Sequence, residues 1–116
     1  MTEWLLVALG AAVGAPARYA VTQGLRARGA TTHAGTLLVN VVGSFVLGLL
    51  VGGDVHGSAL ALVGTGFCGA LTTMSTLALE VWDGIVERRL PHAVAALGLH
   101  LVLGLGAAWL GWTLVA

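Results

Sequence analysis

Charge is what this sequence has least of. Only 9% of its 116 residues are Asp, Glu, Lys or Arg, against about a quarter in soluble domains. With 58% hydrophobic residues and a mean hydropathy of +0.97, the chain is too apolar to be such a domain. Lysine is absent, and the basic residues are Arg18, Arg26, Arg28, Arg88 and Arg89. Formal net charge is zero, which gives no case for binding nucleic acid. The lone cysteine, Cys68, excludes an internal disulfide and reads as a buried, inert thiol. The N-terminal Met1-Thr2-Glu3-Trp4 lacks the basic start of a signal peptide, so the first apolar stretch reads as a retained span. No metal-ligand cluster, nucleophile triad or phosphate loop is present, and an enzyme is not expected.

What the chain does have is four apolar segments. They run from Trp4 to about Leu25, Thr36 to about Gly53, Ser58 to about Val86, and Ala93 to the C-terminus. A spanning helix needs about 20 residues, and each segment is near or above that. Short polar links, 26–33, 54–57 and 87–92, separate them. The expected fold is an all-α membrane protein, one four-helix transmembrane domain over 1–116 with both termini on one side. Pro16 and Arg18 mark a disruption in the first segment, and a polar patch marks one in the third. Eighteen glycines, with GxxxG pairs at Gly10/Gly14 and Gly48/Gly52, predict close helix packing. Four short helices enclose too little volume for a pore, so assembly into an oligomer is expected.

That patch is Gly69-Ala70-Leu71-Thr72-Thr73-Met74-Ser75-Thr76-Leu77. A bilayer offers no water to an unpaired backbone group, so a helix break at this depth must be buried in protein or line an ion path. Back-bonding to carbonyls one turn earlier accounts for one or two of the hydroxyls; it is a weaker account of Thr72, Thr73, Ser75 and Thr76 together. Other polar groups lie inside spans, where such groups are functional candidates. Arg18 either neutralises a charge or snorkels to the interface. Asn40 either donates to an anion or bridges helices. Glu80 and Asp83 follow the patch on nearly one face, and Glu87 extends that face toward solvent. His100 shares a face with Ala96 and Gly104. His33, His56 and His92 fall in the links and are expected to be solvated.

Taken in order, these residues resemble the Fluc/CrcB family of fluoride channels. Gly14-Ala15-Pro16-Ala17-Arg18-Tyr19 resembles its GAxxRY element, and the stretch from Gly35 to Phe45 its GTxxVNxxGSF element. Gly66 to Leu77 resembles GFxGGxTTFSTF, with Glu80 and Gly104 also in place. The resemblance covers essentially the whole chain. It implies an antiparallel dimer of four-helix subunits in the plasma membrane, in contact with lipid and passively exporting fluoride along pores between them. It also implies a structural sodium ion on the two-fold axis, held by the carbonyls of Gly69 and Thr72. Asn40 lines the implied pore, Ser75 and Thr76 add hydroxyls, and Arg18 stands near an entrance.

Two departures stand out. The family has Phe at both aromatic positions of TTFSTF, where ring edges contact fluoride; this chain has Met74 and Leu77. The Tyr and Ser of the family's fourth helix fall on Ala96 and His100. Charge placement is skewed as well. Arg26, Arg28, Arg88 and Arg89 all lie in the first and third links, which share a side. The positive-inside rule then predicts one orientation, with both termini outside. An antiparallel partner is therefore expected to be a second, homologous chain that keeps the Phe residues. The alternatives are a self-sufficient homodimer using substitute contacts, His100 among them, and a non-conducting structural subunit.

Overall fold

The computed structural model describes residues 2–116, apart from the side chain of Thr32. Among these residues there are helices and no strands. The first helix runs Thr2–Ala27, with Glu3 in its first turn and Arg26 in its last, each facing the complementary end of the helix dipole. The second runs Thr32–Gly52, capped by Thr31, whose hydroxyl accepts from Ala34 N at 3.3 Å. The third span covers Gly57–Val86 and the fourth helix Leu90–Val115. All four are long and apolar enough to cross a membrane, and the longest dimension of the bundle, 46 Å, exceeds the ~30 Å hydrocarbon core. Large side chains such as Trp4, Val102 and Leu105 face outward, as lipid permits.

The three links close alike. Ala30 N bonds Leu25 O, Val55 N bonds Leu50 O and Arg89 N bonds Gly84 O, each at 2.7–2.9 Å. Each reaches back five residues across a residue with positive φ: Gly29, Asp54 or Arg88. This wrap satisfies carbonyls that a helix end leaves open.

Two expectations are corrected. Pro16 does not disrupt the first helix, which runs continuously through it; neighbouring helices make proline tolerable in a membrane. Only the third span is broken. There residues Leu60–Cys68 wind with wider, π-helical spacing, Gly69–Leu71 return to α, and Thr72 and Thr73 are extended (ψ 158° and 120°) before Met74–Val86 resumes. The break is thus two residues wide, narrower than the nine-residue patch.

Glycines set the packing. The first helix lies on the N-terminal half of the third span, Gly14 against the Phe67 carbonyl and Gly10 against that of Leu62. The second and fourth helices run parallel. Gly48 meets the backbone of Ala108, Gly52 that of Trp112, and Gly104 stands near Ser44 Oγ. Both GxxxG pairs therefore serve packing within one chain.

Candidate functional site

The break is held by Asn40. Its Oδ1 accepts from Thr73 N at 2.7 Å, and its Nδ2 donates to Thr73 O at 3.1 Å. One side-chain amide thus satisfies both backbone groups of one extended residue, 33 positions away. Of the two readings open for Asn40, the bridging one describes these contacts. Thr72 N still closes a helical turn onto Cys68 O at 3.0 Å, and Thr72 Oγ1 bonds the same carbonyl at 2.9 Å. Back-bonding accounts for this hydroxyl alone.

Thr73 starts the second half. Its Oγ1 accepts from Thr76 N at 3.2 Å, donates to Thr76 Oγ1 at 3.0 Å and lies 3.2 Å from Ser75 Oγ. Thr73 is buried; the sequence places it in the polar patch but assigns it no part in the pathway or the cation site. Its signal there was faint: a Thr three residues before another Thr, just ahead of an apolar run, is an N-cap pattern.

Arg18 reaches across from the first helix to donate to Thr72 O at 3.5 Å. It lines a cavity of about 300 Å³ with Arg26 and the hydroxyl-bearing Thr22, Thr36, Thr73 and Thr76. On the other side of the break is a cleft of about 320 Å³, floored by Asn40, Ser44, Gly69, Thr72 and Thr73. Thr73 is common to both. The positive, donor-rich cavity and the cleft therefore adjoin at the break.

Met74 and Leu77, the two departures from the Phe residues of the family pattern, differ in their surroundings. Met74 is 74% exposed and lines the cleft, whereas Leu77 is 7% exposed and packs inside the bundle. We expect Met74→Phe to be accommodated with little change in stability. Leu77→Phe should overpack its site and destabilise by about 1–3 kcal/mol. Thermal unfolding of the two variants checks this; equal midpoints would contradict the difference in burial.

The sodium expectation can be weighed against the carbonyls. In an unbroken helix Thr73 N–H would bond Gly69 O; here it goes to Asn40. Gly69 O loses its helical partner, and its residue is exposed at the cleft. Thr72 O accepts one long bond from Arg18 and keeps a second lone pair. The donor set fits a hard cation that takes oxygen ligands.

Two histidines behave differently from each other. His33 stands in the second helix and not in the link; its side chain is 63% exposed, as expected, and its Nδ1 lies 3.1 Å from Glu80 Oε2. The pair is close without being aligned as a hydrogen bond, and the Glu80 side chain is only 8% exposed. The 47 positions between them hid this pairing from the sequence. Both line a third cavity of about 490 Å³ with Asp83 and Glu87. His100 turns its Nδ1 to Ala96 O at 2.9 Å.

Residues 5–112 match the family described as CrcB-like protein, Camphor Resistance (CrcB). The chain is 43% identical over 108 residues to "Fluoride-specific ion channel FluC 1" of Geobacillus kaustophilus, covering 93% of each. It is 44% identical over 112 residues to "Fluoride-specific ion channel FluC 2" of Rhodococcus jostii, covering 97% of each. With "Fluoride-specific ion channel FluC 1" of Halobacterium salinarum it shares 44% identity over 115 residues, 97% of this chain and 92% of the relative. These relatives are named as channels and not as enzymes.

Proposed function

Because the chain belongs to the CrcB family, we propose that it is a subunit of a fluoride channel that exports the ion passively across the plasma membrane. The observation that carries the reading is the cleft at mid-span. A polar floor of amide, hydroxyl and freed backbone groups lies open in an otherwise apolar bundle. Lipid cannot solvate such a floor, so an assembled state must cover it or fill it with an ion path.

Fluoride is small and strongly hydrated, and it surrenders its water only to fixed donors. Arg18 and Arg26 gather the anion at one side of the break, and the hydroxyl of Thr76, which accepts from Thr73, supplies a donor as it passes. Asn40 keeps that donor in place by holding Thr73. The carbonyls of Gly69 and Thr72 would hold a sodium ion. The ion supplies fixed positive charge at the centre of the assembly.

The partner is a second, homologous chain in the opposite orientation. Met74 brings no positive ring edge to the cleft, and four arginines bias the chain to one orientation. Relatives that carry the numbers FluC 1 and FluC 2 accord with chains working in pairs. Reconstitution in liposomes tests this. Fluoride efflux is expected when the chain is co-expressed with a homologous chain that keeps the Phe residues, and little from the chain alone. Full efflux from the lone chain overturns the paired assembly, and absence of efflux from both overturns the channel.

A further inference from the structure

Among the described residues, the buried side-chain atoms without a hydrogen-bond partner belong to Glu80 and to His100. His100 Nε2 is buried and has no hydrogen-bond partner, while its Nδ1 lies 2.9 Å from the Ala96 carbonyl. A ring nitrogen that close to a carbonyl oxygen carries hydrogen, so the neutral ring presents a bare lone pair at Nε2. Protonation replaces that lone pair with an N–H donor. The same atom repels an anion in one state and binds it in the other.

The position of the ring follows from the parallel packing of the second and fourth helices. Ser44 stands near Gly104, Gly48 meets Ala108 and Gly52 meets Trp112, each partner sixty positions on. One turn earlier, the same offset sets His100 level with Asn40, the residue that holds the break. The imidazole thus lies at the depth of the cleft floor, on the face that Ala96 and Gly104 share.

We infer that His100 Nε2 is an anion-binding atom switched on by a proton, and that it makes fluoride flow through this chain depend on pH. This rests on the channel reading above. One proton and one fluoride meet at the site: imidazolium donates to fluoride, or the neutral ring accepts from hydrogen fluoride. The two forms differ only in which partner holds the proton. No aromatic edge is needed for such a contact, and none is present at Met74 or Ala96.

Other titratable groups could imitate this behaviour. The fourth helix packs against the second helix and the C-terminal half of the third span. Those elements carry His33, Glu80 and Asp83, which line the cavity reaching Ala96 and Leu99. Glu87, Arg89 and His92 stand at that cavity's rim. A Glu80→Gln control separates the nearest buried carboxylate from His100.

Current across planar bilayers decides the matter, because neutral hydrogen fluoride crossing the lipid carries none. With sodium fluoride on both sides, the assembled channel is expected to pass roughly tenfold more current at about pH 5.5 than at about pH 8, the weight of one charge-assisted hydrogen bond. His100→Gln should flatten the dependence to less than about twofold, since an amide does not titrate in this range, and Glu80→Gln should retain it. Equal slopes in the native and His100→Gln channels overturn the inference. A native assembly silent at every pH overturns the channel reading instead. The ¹⁵N resonance of Nε2, assigned by its loss in His100→Gln, gives a second readout. It should move when fluoride is added in acid and stay fixed in alkali; a resonance unmoved in acid overturns the inference whatever the current does.

Discussion

Asn40→Ala is expected to destabilise the protein by about 2–6 kcal/mol and to lower fluoride efflux by at least about tenfold. The amide of Asn40 is the partner of both Thr73 N and Thr73 O. Removing it leaves a backbone donor and a backbone acceptor buried together, each at a penalty of about 1–3 kcal/mol. Thr73 itself is 7% exposed, so water does not readily replace the lost contacts. The functional loss follows from the same contacts. Thr73 caps the helix that continues the span and shares a wall with both the arginine cavity and the cleft. Once its backbone is released, the hydroxyl network with Ser75 and Thr76 loses its anchor. Thermal unfolding in detergent and fluoride-electrode recording from liposomes measure the two effects. Native stability in Asn40→Ala would show that the break does not depend on this amide.

Gly48→Ala tests the packing that sets the depth of His100. A methyl group there would run into the carbonyl oxygen of Ala108, with the same residue's carbonyl carbon at 2.8 Å and Cα at 2.9 Å. All three are main-chain atoms of a helix and cannot rotate away. The second and fourth helices must separate, and the contacts of Gly52 with Trp112 and Gly111 with Phe45 separate with them. A loss of about 2–3 kcal/mol or more is expected. Gly24→Ala is the control. Nothing lies within 4 Å of a methyl group at Gly24, which is exposed in the first helix. There the substitution should be neutral or stabilise by up to about 1 kcal/mol through helix propensity. Similar unfolding midpoints for the two variants would deny the close approach.

How much of this was legible beforehand depends on the range of the interaction. Spans follow from runs of apolar residues, and the four helices appear where hydropathy puts them. The break was readable too, because Gly69 and four hydroxyls in eight residues are a local departure from helix-forming sequence. Its width was not readable, because that depends on where Asn40 reaches from another helix. Pro16 misled for the related reason that a helix packed among others tolerates what an isolated one does not. The Glu80–His33 approach and the level shared by Asn40 and His100 join residues 47 and 60 positions apart. Neither leaves a pattern along one chain. Met74 and Leu77 look equivalent in sequence; only the rotation of the resumed helix separates a cleft residue from a core residue.

The tie between Asn40 and Thr73 also bears on biogenesis. Both partners belong to one polypeptide, so the break's central peptide groups are sealed as soon as the second and third spans have entered the bilayer. The chain itself supplies the partners that those two groups need at a depth where lipid offers none.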